Sequence, residues 1–150
     1  MSEILFYHLT QTSLEHVLPG LIEKSLAKNW RVIVHCGSKE RVEAIDALLW
    51  TYREDSFLPH GWIVDGSEAV QPIWLTAEKD NPNKADIRFL VDGAQVDETV
   101  SYSRIVYIFD GQDNSAVDHA RSRWRFHNAI DGDELTYWQQ TLKGGWEKRA

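Results

Sequence analysis

Two stretches of the chain combine residue types able to do chemistry at spacings that permit it. In "HCGSKERV", residues 35 to 42, a cysteine closes an apolar run and an arginine follows it. A cysteine phosphatase uses this order with five residues between thiolate and guanidinium, so that backbone N–H groups and one arginine surround a phosphate. Here four residues separate Cys36 from Arg41, position 42 is valine, and Lys39 and Glu40 stand where the backbone must come closest. A small buried cysteine at the end of a core strand fits the pattern better. A phosphatase-like hydrolase using Cys36 is the alternative reading.

The second stretch is "DHARSRWRFHN", residues 118 to 128, a basic reversal in a chain whose 16 Lys and Arg against 23 Asp and Glu give a net charge of −7. Laid on a helix at about 100° per residue, Arg121, Trp124, Arg125 and Asn128 share one face, and Arg123 points elsewhere. Removing Arg123 is therefore expected to cost a ligand little. Two guanidiniums beside an indole suit a carboxylate followed by an apolar side chain, the chemistry of a short acidic peptide. The plainer possibility is a solvated arginine face whose Trp docks on the core. A third candidate is "LLWTYREDSFLPHG", residues 48 to 61, where Trp50 ends a helix and Phe57 sits in a loop fixed by Pro59. Exposed, these aromatics form the centre of a protein interface; buried, they plug the core.

Other chemistries lack their signals. Net negative charge argues against sequence-independent grip on nucleic acid, which rests on Lys and Arg neutralising phosphates. Neither G-x-x-x-x-G-K-[ST] nor G-x-G-x-x-G occurs. Asp65, Asp92 and Asp110 each precede a glycine and read as turns more readily than as a magnesium cluster. The six histidines show no ligand spacing on a helix face, so neither a metal nor a cofactor is expected. A single cysteine, no basic and apolar leader, no run of 18 apolar residues and no lipidation signal suit a cytoplasmic protein without a membrane segment.

The elements that must position these residues follow from apolar periodicity. "ILFYHL" reads as a strand, and Thr10 to Ser13 supply turn and cap chemistry before a helix on Leu14, Val17, Leu18, Leu21, Ile22 and Leu26, with Pro19 and Gly20 inside it. "RVIVHC" is a second strand, whose nearly unbroken apolar run suits a buried parallel position. A helix over Lys39 to Tyr52 follows, with Val42, Ile45, Leu48 and Leu49 inward. "PIWLT", "DIRFLV" and "RIVYIF" are further strands, and Asp113 or Asn114 caps a helix running to about Ile130. Residues 131 to 133 break the chain before "ELTYWQQTLK". The β-α-β-α opening favours a parallel sheet covered on both faces, in one domain spanning residues 1–150.

Taken together, "FY" at 6 and 7, "RVIVHC", "AIDALLWTYREDSFLPHG", "PIWLT", "NPNKAD", "FDG" at 109 to 111 and "ARSRWRFHNAIDGDELTYWQQ" resemble the chi subunit family of bacterial DNA polymerase III. The order and spacing of these pieces carry the resemblance along nearly the whole chain. It implies a three-layer α/β/α sandwich with a mostly parallel sheet, similar to nucleotide-binding folds but without their phosphate loop. It further implies a non-enzymatic adaptor in DNA replication that binds the psi subunit of the clamp-loader assembly and the acidic C-terminal tail of single-stranded-DNA-binding protein. That tail ends in carboxylates followed by Pro-Phe. Matched residue by residue, tail recognition falls on Arg121, Trp124 and Arg125, and the partner-subunit surface on Trp50 and Phe57 with Pro59 and His60 shaping the loop. In some bacteria a helicase is an alternative partner there. DNA is then reached only through the protein that coats it, and an independent single-stranded-DNA binder is disfavoured by the net charge.

Overall fold

The computed structural model describes residues 3–51, 60–61, 72–77, 84–94, 104–130 and 132–150. The opening run forms β1 (Glu3–Leu9), followed by α1 (Leu14–Ala27), β2 (Val32–His35) and α2 (Lys39–Thr51). Then come β3 (His60–Gly61), β4 (Ile73–Thr76), β5 (Ile87–Leu90), β6 (Arg104–Asp110), α3 (Asn114–Asn128), β7 (Glu134–Gln140) and β8 (Trp146–Lys148). The strands make one sheet in the order β3-β4-β2-β5-β6-β1-β7-β8. Every described pairing is parallel except β7 with β8.

The central strands are buried on both sides and mostly apolar, as parallel strands inside a sandwich are. Val32, Val34, Leu75, Val106 and Ile108 pack with Leu18 and Ile22 of α1 and Val42, Ile45 and Leu49 of α2. On the opposite side Ile4, Phe6, Ile105, Tyr107 and Phe109 meet Ala120 of α3. The expected α/β sandwich is thus present, with α1 and α2 on one face and α3 on the other. Pro19 is accommodated inside α1, where its ring is buried.

The segment left unassigned after residue 133 supplies β7 and β8. From β1 the chain crosses over α1 toward β2 on one side, and from β6 it crosses over α3 toward β7 on the other. Such a reversal opens a crevice at the carboxyl ends of the two diverging strands, where nucleotide-binding folds hold their ligand. Here a cavity of about 790 Å³ lies there, lined by Thr10, Thr12, Asp110, Asp113 and His119 among others. The turn between β1 and α1 is tied from within. The backbone N–H groups of Thr10, Gln11 and Thr12 all donate to Oε1 of Gln140, at 3.1, 2.9 and 3.1 Å. Nε2 of Gln140 returns a bond to the Thr12 hydroxyl at 2.7 Å. Ser13 stands at the N-cap of α1 but makes no side-chain cap bond, so this carboxamide from β7 holds the turn that the local sequence was expected to hold alone. At α3 the expected cap is present: Asp113 accepts from the backbone N–H of Ser115 and of Ala116.

Candidate functional site

Cys36 lies just past β2, almost fully buried. Burial, the largest cause, and the nearby Asp92 carboxylate push its thiol up to about 12, against the smaller opposing effect of Arg41. A thiol held so far above neutral pH is protonated and a poor nucleophile. Arg41, the would-be phosphate clamp, is spoken for: it donates to Glu15 at 2.7 Å and to Asp92 at 2.9 Å. Added Cβ atoms at Gly37 would meet the Asp92 carbonyl oxygen, so this turn is packed against β5's end rather than opened toward a ligand. The bland reading of Cys36 holds. Asp92 is an ion-pair partner, and Asp110 accepts the Gln112 backbone N–H as a turn residue. Among the described residues no group of acidic, His or Cys side chains forms a metal site; Asp65 lies outside them.

On α3 the helical phase separates the arginines. Arg121 and Arg125 are exposed, Trp124 is half-buried and Arg123 is buried. The Trp124 ring lies 5.3 Å from Phe6 of β1 and 6.0 Å from Tyr137 of β7, edge-on to the latter at 74°. Half of the indole therefore anchors the helix while the rest borders solvent on the face that also carries the exposed Arg121 and Arg125. The docked-Trp possibility is thus met in part, and the same ring keeps an accessible edge on the arginine side of the helix. Arg123 is a different matter. Pointing elsewhere means pointing inward: its Nε–H donates to the Tyr107 hydroxyl at 3.2 Å and its guanidinium covers the Phe126 ring at 4.1 Å. Arg123 thus lies off the outer face, as the helical phase requires, and its alkyl stem and head are part of the packing between α3 and β6.

Next to this face, Nδ1 of His8 lies 2.6 Å from the Tyr137 hydroxyl. Burial lowers the His8 pKa, and the Arg121 charge lowers it further against Asp110. This hydrogen bond between the His8 ring and the Tyr137 hydroxyl fixes the Tyr137 ring beside Trp124. Neither His8 nor Tyr137 emerged as a site residue from the sequence, because the one lies on β1 and the other on a strand that periodicity had not identified.

The model of the DNA polymerase III chi subunit family (HolC) matches residues 1–132. The chain belongs to this family. A probable DNA polymerase III subunit chi of Rickettsia prowazekii is 27% identical over 109 residues, covering 73% of this chain and 66% of that protein, just under two thirds of its length. The DNA polymerase III subunit chi of Pseudomonas aeruginosa is 23% identical over 107 residues, covering 71% of this chain and 73% of its own length.

For this chi-family chain the second candidate surface begins at Trp50, in the last turn of α2. Trp50 is 54% exposed, which rules it out as a core plug. His60 opens the short strand β3 at the sheet edge. Phe57 and Pro59 lie outside the described residues. Because α2 and α3 cover opposite faces of the sheet, the structure does not bring Trp50 together with Arg121, Trp124 and Arg125; they form two separate locations. Among the described residues no helix is long and apolar enough to cross a membrane.

Proposed function

We propose that this chi-family subunit is a non-catalytic adaptor of the DNA polymerase III assembly. It joins the psi subunit, or an alternative partner such as a helicase, to the acidic C-terminal tail of single-stranded-DNA-binding protein in the cytoplasm. The observation that carries this reading is the flank of α3, where two exposed arginines share a helix face with an indole anchored by Phe6 and Tyr137. An anchored aromatic beside two bidentate donors is the makeup of a small hot spot for carboxylates followed by an apolar ring. The surface at Trp50, Phe57, Pro59 and His60 takes the other partner.

Two features support a role without catalysis. The buried, protonated Cys36 offers no thiolate. The N–H cradle at the β1–α1 turn is satisfied by Gln140, so the place where a nucleotide phosphate would sit in this topology is taken by the chain itself. A net charge of −7 leaves DNA to be reached through the tail.

A labelled peptide carrying the acidic tail and ending in Pro-Phe tests the site. Aromatic and Arg anchors cost about 2 kcal/mol on truncation, so Arg121→Ala or Arg125→Ala should weaken binding by roughly thirtyfold. Lys39→Ala, on the exposed start of α2, should leave it unchanged. Equal affinity of the Arg121→Ala, Arg125→Ala and wild-type proteins would refute the assignment.

A further inference from the structure

The flank of α3 is one wall of a surface whose other half is the sheet beyond it. Phe6 of β1 stands opposite Tyr137 of β7 in the parallel register. On the far side of β7, the antiparallel ladder pairs Trp138 with Lys148, and the Arg149 N–H donates to the Tyr137 carbonyl at 2.8 Å. Arg149 follows the last paired residue of β8, the Tyr137 N–H donates to the Ala150 carbonyl at 3.2 Å, and the Arg149 side chain pairs with Glu147, whose ladder partner Gln139 shares the Tyr137 face of β7. Side chains directly opposite one another in a ladder project on the same face. That face is the one carrying α3, because Phe6 and Tyr137 both pack against Trp124. Among the described residues, α3 is the one helix in the apolar cluster on this side. Leu135, Tyr137 and Gln139 occupy alternate positions of β7, and the first two are partly exposed hydrophobics of that cluster.

We propose that this β7–β8 shelf completes the docking site on α3, and that Arg121 and Arg149, on either side of Tyr137, jointly receive the terminal carboxylate of an acidic peptide ending in an aromatic residue. The peptide's ring lies against the Trp124 and Tyr137 rings, and its preceding carboxylates run along α3 to Arg125. This rests on the tail-binding reading above and adds a second wall to it, built from residues beyond the 1–132 span that the family model matches.

Charge and exposure fit that occupant. The Arg149 side chain is 52% exposed and its described ion pair, to Glu147, is long at 3.4 Å. Exposed pairs of this kind contribute little and exchange readily for a better acceptor. Burial pushes the Tyr137 hydroxyl up from its ordinary value, and the charges of Arg121 and Arg149 both oppose that rise. Both cations therefore lie within electrostatic reach of one hydroxyl, approaching from different elements. The His8–Tyr137 bond keeps the ring between them from turning away.

The test is a double-mutant cycle between protein and peptide. Two probes are titrated: an Asp- and Glu-rich peptide ending in Pro-Phe with a free α-carboxylate, and the same peptide with a C-terminal carboxamide. The wild-type protein should bind the free acid more tightly than the amide by roughly tenfold or more. Arg149→Ala should lose about the same factor for the free acid and almost nothing for the amide. Arg149 is exposed near the chain end, and an unchanged melting curve verifies that its replacement leaves the fold alone. If Arg149→Ala binds the free acid as wild type does, or loses equally on both peptides, the shelf is not part of the site, and the tail-binding reading stands without it. If the wild-type protein binds neither peptide, the tail-binding reading falls and this inference falls with it.

Discussion

The Nε–H of Arg123 donates to the hydroxyl of Tyr107 at 3.2 Å, joining the middle of α3 to β6 beneath the outer arginines. That hydroxyl lies 2.8 Å from Nε2 of His127, whose Nδ1 lies 3.3 Å from Asp133. A single assignment of protons satisfies the chain: Arg123 donates to Tyr107, Tyr107 to a neutral His127, and His127 to Asp133. The helix that presents Arg121, Trp124 and Arg125 is thereby held in one rotational setting.

Arg123→Ala should accordingly be a stability variant. Losing its packing and its hydrogen bond to Tyr107 should cost about 2 kcal/mol, or roughly 4 to 8 °C in Tm for a chain of this size. Arg121→Ala, on the exposed flank, should stay within about 0.5 kcal/mol of wild type. Denaturant melts of the two variants check the contrast, and equal stability would mean that the Arg123–Tyr107 contact does not hold the helix.

Acidification should act through His127. Burial, the largest cause, pulls its pKa below the ordinary value, with the Arg123 charge in the same direction and the Asp133 bond and charge opposing. The unfolded chain takes up a proton near pH 6.5 that the folded chain resists. The stability this represents is fully present above about pH 6.5 and is lost as pH falls through the folded value. Tm should therefore be level between pH 7 and 8 and fall toward pH 5, and His127→Gln should flatten that fall while lowering Tm at pH 7. A Tm that rises on acidification would contradict the neutral assignment.

Much of this was legible in the chain because the relevant signals are local. Val32 to Val34 and Ile105 to Phe109 are unbroken apolar runs, and Asp113 caps α3 through its own next residues, so strands and helix ends followed from periodicity and cap chemistry. The separation of Arg123 from Arg121 and Arg125 followed from the helical period alone. What periodicity could not give was the interior destination of Arg123, since an arginine is normally a surface residue and its partner Tyr107 lies 16 positions away. Strand β7 escaped for a related reason: both of its faces are partly buried, so "ELTYWQQ" shows no clean alternation of apolar and polar residues. With β7 unrecognised, the partnership of Gln140 with the β1–α1 turn, about 130 residues earlier, and of Tyr137 with Trp124 had no place to be seen.

The two proposed surfaces should behave as independent. Trp50 and Arg125 belong to helices that cover opposite faces of the sheet, so combining Trp50→Ala with Arg125→Ala should give losses that add within about 0.5 kcal/mol. Trp50→Ala should weaken whichever subunit co-purifies while leaving tail-peptide affinity and the melting curve unchanged. Loss of both activities from Trp50→Ala in a folded protein would show the surfaces to be coupled.

The most direct measurement is retention of the chi-family chain on a single-stranded DNA oligomer, bare, coated with single-stranded-DNA-binding protein, or coated with the same protein lacking its C-terminal tail. An adaptor of net charge −7 should stay behind only on the complete coat, and Arg121→Ala should abolish that retention. Tight, salt-sensitive retention on the bare oligomer, or retention unaffected by removing the tail, would contradict it.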